Sequence, residues 1–414
     1  MRKIGVALVS MLAATSATAQ PLADSALEAK ALAIHERVIA LDTHVDIPID
    51  YATAAVDPGG FTTLQVDLPK MRAGGLDAIF LIVYTGQGAL TPDGYAAARE
   101  NAVAKAAAIH RLVSGYPDEI GLALTAAEAR AIARSGRKVA LIGMENPYPL
   151  GPSIDDVEEW HASGVRYMGL THFGHNQFGD SSNPNTEAGE AEDLNGGLTD
   201  LGRALVKELN RVGIMVDVSH ASRKSMMQAV ELSEAPIIAS HSGAKAIGDV
   251  ARNLDDEQLK ALAEKGGVAQ MVALDTFVKP LNAEQEALQK KIRKEMKLET
   301  SAAREAMSPE IEAQYNTRLE ELWTISPRAT VADYADHIDH AVKVAGINHV
   351  GISSDFDGGG GVVGWADAAE TLNVTRELVR RGYSDKDIEK LWSGNLLRVM
   401  ADVDATATRI GKAR

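Results

Sequence analysis

A chain of 414 residues, 45% hydrophobic and 24% charged, has the composition of a folded globular protein whose core needs no covalent staples. Its formal charge of −15 makes it a poor partner for nucleic acid or an anionic membrane surface. Cysteine is absent, which excludes disulfides and thiolate ligands together, so a bound metal must be held by His, Asp and Glu.

Arg2 and Lys3 precede an apolar run, Ile4 to Ala14, and a small-residue segment ending Ala17-Thr18-Ala19. The run is short for a bilayer span, Ala17-x-Ala19 is a good cleavage site, and no cysteine is at hand to take a lipid. Residues 1–19 therefore read as a cleaved secretory signal, and residues 20–414 as one exported, periplasmic domain without a membrane span. Short apolar runs then alternate with amphipathic stretches. The predicted strands are Val38–Leu41, Ala78–Val83, Val139–Met144, Arg166–Leu170, Met215–Val218, Ile237–Ala239, Val268–Val272 and His349–Ile352. Helical spacing marks Ala96–Leu112, Leu198–Val212, Arg223–Leu232, Asp255–Lys265 and Val331–Ala345. Eight such units predict an α/β fold, a (β/α)8 TIM-like barrel, with a doubly wound open sheet as the alternative on pattern alone. Two stretches break the alternation. Asn176–Asp193 reads as a long loop after the fourth strand. Residues 282–321 read as a charged helical insertion before the eighth strand: a surface decoration, or else a lid or a homodimer contact.

Metal-capable side chains follow six of the eight predicted strands. His44 and Asp46 come after the first, Glu145 after the third, His172 after the fourth, His220 after the fifth, His241 after the sixth and Asp355 after the eighth. A lone histidine beside a strand is usually structural. In a barrel, however, all of these strand ends converge on one mouth, where the fold keeps its active sites. His44 and Asp46 are also two residues apart, so both point the same way from one strand. An HxD pair, a Glu and two further His strand ends suffice for two metals sharing a carboxylate, and three imidazoles favour zinc over magnesium. Asp42 and Asp217 read as groups that orient the histidines, or as buried caps. Arg166 reads as structural, and of the neighbouring residues His175 and Asn176 are the ones expected to line the pocket.

The chain resembles the renal (membrane) dipeptidase family of metallopeptidases, within the amidohydrolase-like barrels, from about Ala33 to Met400. The motifs that carry the resemblance are Asp42-Thr43-His44-Val45-Asp46, Gly143-Met144-Glu145, Gly164-Val165-Arg166-Tyr167 leading to Leu170-Thr171-His172, Asp217-Val218-Ser219-His220, Ser240-His241-Ser242, Arg252-Asn253, Ser354-Asp355-Phe356-Asp357-Gly358 and Gly394-Asn395-Leu396-Leu397-Arg398. The resemblance implies two Zn2+ per chain, one on His44 and Asp46 and one on His220 and His241, bridged by Glu145 and a water or hydroxide. It implies His172 beside the substrate carbonyl, Arg252 on the terminal carboxylate, and Asp355 passing a proton from water to the leaving amine. The implied activity is hydrolysis of small dipeptides, including those with a C-terminal D-residue. The alternative is a dizinc amidohydrolase of N-acyl amino acids or lactams. A retired, non-catalytic barrel fits poorly, because no ligand is missing. Asn146-Pro147 after Glu145, the long loop after His172 and the insertion depart from the family's commoner forms and bear on pocket shape.

Overall fold

The computed structural model of the chain describes residues 19–412 apart from 187–188, 301–302 and 305–306, so the leader read over residues 1–19 lies outside the described residues except for Ala19. The strands are β1 (Leu41–Val45), β2 (Ala78–Tyr84), β3 (Ile120–Leu122), β4 (Lys138–Glu145), β5 (Val165–Gly169), β6 (Met215–Asp217), β7 (Ile238–Ser242), β8 (Val268–Val272) and β9 (Val350–Ser353). Eight run parallel in the order β1-β2-β4-β5-β6-β7-β8-β9, and short β3 pairs with β4 off that path. A parallel bridge between Val45 and Phe356, with Asp46 N donating to Phe356 O at 2.9 Å, joins the first strand to the segment after the last. The fold is a (β/α)8 barrel, not an open sheet.

Side chains alternate across the barrel wall as the strand period demands. Phe80 and Ile82 of β2 point inward, packing with Leu41, Leu141, Tyr167 and Ile238. Ile79, Leu81 and Val83 face the surrounding helices. Those helices include Pro92–Gly115, Asp200–Val212, Arg223–Leu232, Asp256–Glu264 and Val331–Ala345. Their starts are fixed by side-chain caps: Thr199 accepts from Gly202 N, and Asp255 with Gln258 and Thr330 with Asp333 form reciprocal capping boxes.

Two of the expected strand bounds are corrected. The first strand begins at Leu41, where it was expected to end, and the sixth runs on through His241 to Ser242. His44 and His241 thus sit within strands rather than after them. The cause is that Asp42, His44, Ser240 and His241 are polar yet buried, so hydropathy falls while the strand continues. The expected insertion is present as helices Ala283–Glu295 and Pro309–Leu319. It packs on its own small cluster of Ile292, Leu298 and Tyr315, apart from the barrel core.

Candidate metal centre

The polar strand ends meet at one mouth. Glu145, the last residue of β4, stands in the middle with its two carboxylate oxygens facing different groups. Oε1 lies 2.9 Å from His220 Nε2 and 3.3 Å from His241 Nε2. Oε2 lies 3.4 Å from His44 Nε2, which is itself 3.5 Å from Asp46 Oδ2 and 3.9 Å from Asp355 Oδ1. His172 Nε2 approaches Glu145 Oε1 at 3.9 Å. Every metal-capable residue predicted from the sequence is therefore in one cluster. His220 and Asp355 reach it with positive backbone φ, +67° and +62°, which turns the chain sharply inward just past β6 and β9. L-residues rarely adopt that conformation, and such strain gathers at working sites.

The second ring nitrogens of His44 and His241 show which form those two imidazoles take. Tyr167 Oη donates to Thr43 O at 3.1 Å, so at 2.9 Å it accepts from His44 Nδ1–H. Ser240 Oγ donates to Asp217 Oδ2 at 2.7 Å, so at 2.8 Å it accepts from His241 Nδ1–H. Both Nε2 lone pairs are thereby aimed at the cluster, the arrangement that metal-binding histidines require. His220 Nε2 and His241 Nε2 face each other at 3.0 Å across the same carboxylate oxygen. His44 Nε2 and Glu145 Oε1 are buried without a hydrogen-bond partner. Buried polar atoms seldom stay unpaired, and a cation is the partner this donor set fits. Two compact groups, His44–Asp46–Glu145 and Glu145–His220–His241, each offer ligand atoms within 4.8 Å of one another and share Glu145.

The electrostatics agree. Burial, reinforced by the Arg252 charge, holds His220 well below its ordinary pKa, and burial with the His44 charge does the same for His241, so both are neutral and free to ligate. Burial also works against a charged Glu145, yet the imidazoles of His44 and His172 hold it well below the carboxylate range. His44 moves the other way: burial opposes its charge, but Glu145 and Asp46 override it, marking a pocket that seeks positive charge. Burial pushes Asp355 up to about 8, and the neighbouring Asp46 and Glu145 charges add to the shift.

Around the cluster, His172 is flanked by the rings of Tyr84 and Phe173, each 4.7 Å away, and burial lowers its pKa. Arg252 is buried, donating to His241 O at 2.8 Å and Ser242 Oγ at 3.2 Å, with its Nε unpartnered. Burial brings its pKa down to about 10. Asn176, expected as a pocket residue, is corrected: its amide donates to Asn146 Oδ1 and Leu170 O, and its oxygen accepts from Phe178 N and Gly179 N. Nothing of it is left for a substrate, and it holds the long loop in place. His175 does likewise, bonding Ser181 N and Ala191 O. Arg166 is structural as read, donating to Leu124 O and His161 O. Asp217 steers His241 through Ser240, whereas Asp42 accepts from Ser354 N and His44 N and so pins β1 to the segment after β9. The sequence reading gave no role to Tyr167, which it placed only in the motif Gly164-Val165-Arg166-Tyr167, and passed over Lys105. For Lys105 a signal existed, since it falls on the core-facing stripe of its helix, where lysine rarely sits unpaired.

Comparison with known proteins matches this picture. The family model described as membrane dipeptidase, peptidase family M19, matches residues 28–414. The dipeptidase aclJ of Aspergillus oryzae is 30% identical over 350 residues, covering 83% of this chain and 71% of that protein. The crystal structure of the probable dipeptidase PvdM from Pseudomonas aeruginosa is 33% identical with a TM-score of 0.84, covering 92% of this chain and all of that one (100%). A metallopeptidase from Rhodobacter sphaeroides, solved with a phosphinate mimic of the dipeptide L-Ala-D-Ala, shares the fold at 24% identity and a TM-score of 0.67, covering 88% of this chain and 99% of its own. With the family model matched over residues 28–414, the chain belongs to the membrane dipeptidase family of metallopeptidases, family M19.

Proposed function

We propose that this chain is a dizinc dipeptidase that hydrolyses the peptide bond of small dipeptides and accepts a C-terminal D-residue. The observation that carries the reading is the division of Glu145: one oxygen faces His220 and His241, the other His44, beside Asp46. His44 and Asp46 would hold one ion, His220 and His241 the second, and Glu145 would bridge them. Two divalent ions held there supply a polarised carbonyl and a shared water of lowered pKa. The remaining work falls to the chain's own groups. Asp355 takes the proton of the attacking water and returns it to the leaving amine, its Oδ1 lying 3.9 Å from His44 Nε2 at the edge of the cluster. His172 faces the carbonyl oxygen as it gains charge. Arg252 grips the substrate's terminal carboxylate, its unpartnered Nε–H being available for that purpose.

The test is metal analysis of purified protein together with turnover of a panel of L,L-dipeptides, L,D-dipeptides and N-acyl amino acids, before and after chelation. Two zinc equivalents, dipeptide turnover and its loss on chelation are expected. Turnover of acylated amino acids alone would replace the dipeptidase reading with that of an amidohydrolase. Export belongs to the same proposal, supported by the residues from Arg2 to Ala19. Protein recovered from the periplasm should begin at Gln20, and a retained Met1 would refute cleavage.

A further inference from the structure

Lys105 occupies the middle of helix Pro92–Gly115, on the face that buries Ala98, Ala102, Ala106, Ile109 and Leu112 against the barrel. It is only 9% exposed. Among the described residues no salt bridge or hydrogen bond reaches its ammonium; its neighbour is the ring of Tyr84, whose centroid lies 5.1 Å from Nζ. Burying an ammonium without a paired anion is costly, and burial lowers the Lys105 pKa accordingly, a cost that an arriving carboxylate would offset. Tyr84 ends β2 and its ring packs on His172, so Lys105 stands at the rim of the metal centre, within the field of Asp46 and Glu145. Charge balance with those carboxylates does not explain it, because two divalent ions held there would already outweigh them. The place of Lys105 in the ring is informative. In the order β1-β2-β4-β5-β6-β7-β8-β9, β7 lies halfway round from β2. Arg252 is anchored on β7, through His241 O and Ser242 Oγ. Two buried cations thus flank the mouth from opposite sides, with the ligand cluster between them.

We infer that Lys105 is a specificity-determining residue that receives a second carboxylate of the substrate, at the end remote from Arg252, so that the preferred dipeptides carry aspartate or glutamate as their N-terminal residue. This rests on the dipeptidase reading above and names the members of that class the site takes. Arg252 holds the C-terminal carboxylate on one side, the scissile bond lies over Glu145, and the N-terminal residue extends toward β2. An acidic side chain there meets the ammonium, and the Tyr84 ring holds the lysine stem in place.

Matched substrate pairs isolate the charge: Asp-Ala against Asn-Ala, and Glu-Ala against Gln-Ala, each compared by kcat/KM. Wild-type enzyme should favour at least one acidic member by about tenfold, the size of one charge-assisted hydrogen bond in a buried site. In Lys105→Gln that ratio should fall to about one, while Lys105→Arg should keep part of it. Zinc content and circular dichroism show whether each variant is folded, and Lys105→Met, which retains the apolar stem, serves as a second neutral variant. A wild-type ratio at or below one in both pairs overturns the inference, as does a ratio unchanged in a folded neutral variant. If neither neutral variant folds, the wild-type ratio alone decides. Absence of turnover on every dipeptide defeats the dipeptidase reading itself, whereas turnover indifferent to acidity sinks only the role of Lys105.

Discussion

The imidazoles of His44 and His241 are turned by the hydroxyls that hold their far nitrogens, and this is where single substitutions act most clearly. Tyr167→Phe removes the acceptor for His44 Nδ1–H. Loss of such a supporting group should weaken metal binding by about 10–100-fold, read by competition with a chelator; unchanged affinity would show that the phenol does not orient His44. Asp355→Asn keeps the size of the side chain and removes its titration. Turnover should be abolished while zinc content survives, and near-wild-type activity would reject Asp355 as the proton carrier. At this scale the candidate cluster was legible in the sequence because its His, Asp and Glu fall in or just past the C-terminal ends of strands, and the barrel brings those ends together. The roles of Asn176 and Lys105 were not. Asn176 looks like any polar loop residue until its four partners are seen, and the meaning of Lys105 depends on a ring, Tyr84, contributed by a different element.

Strands and insertions follow different physics. Gly143 of β4 pairs with Tyr167 of β5, and a Cβ there would lie 2.3 Å from the Tyr167 ring. Gly143→Ala must push that ring, and His44 behind it, out of position. A stability loss of about 1–3 kcal/mol is expected in urea denaturation, together with weakened metal binding; wild-type values for both would mean the barrel interior yields more easily than its packing indicates. Eight apolar runs were enough to give the ring of strands, because inward and outward faces are both buried there. The bounds of β1 and β7 slipped because function placed Asp42, His44, Ser240 and His241 on the inner face. Three-residue β3 left no periodic trace to read. The insertion was visible through its dense charge and helix propensity, and its separate cluster of Ile292, Leu298 and Tyr315 supports the reading as a surface decoration. Replacing residues 283–324 with a short Gly/Ser linker should therefore leave cooperative unfolding and kcat/KM within about threefold, given that loop closure changes slowly with length. A collapse of activity in a folded deletion variant would favour a lid, and a shift in oligomeric mass a subunit contact.

Over the whole molecule, ions held at the cluster would join parts of the chain that are far apart in sequence. His44 belongs to the first strand of the ring, His241 to the sixth, and Glu145 between them touches both. Ligands that bind only the folded state stabilise it by mass action, about 4 kcal/mol at roughly a thousandfold excess over Kd. Removing zinc should lower the melting temperature accordingly, and re-addition should restore it; a melting curve indifferent to chelation would mean that no ion bridges these strands.

The seam at Val45 and Phe356 also bears on how the protein is made. By the time His241 has left the ribosome, all five proposed ligands are already synthesised, yet the acid at position 355 and the edge that seals the ring are still to come. The full set of groups that hydrolysis would need therefore exists only once the last strand and the segment after it have been made. The order of the residues along the polypeptide, rather than a separate inhibitor, would keep an unfinished enzyme silent.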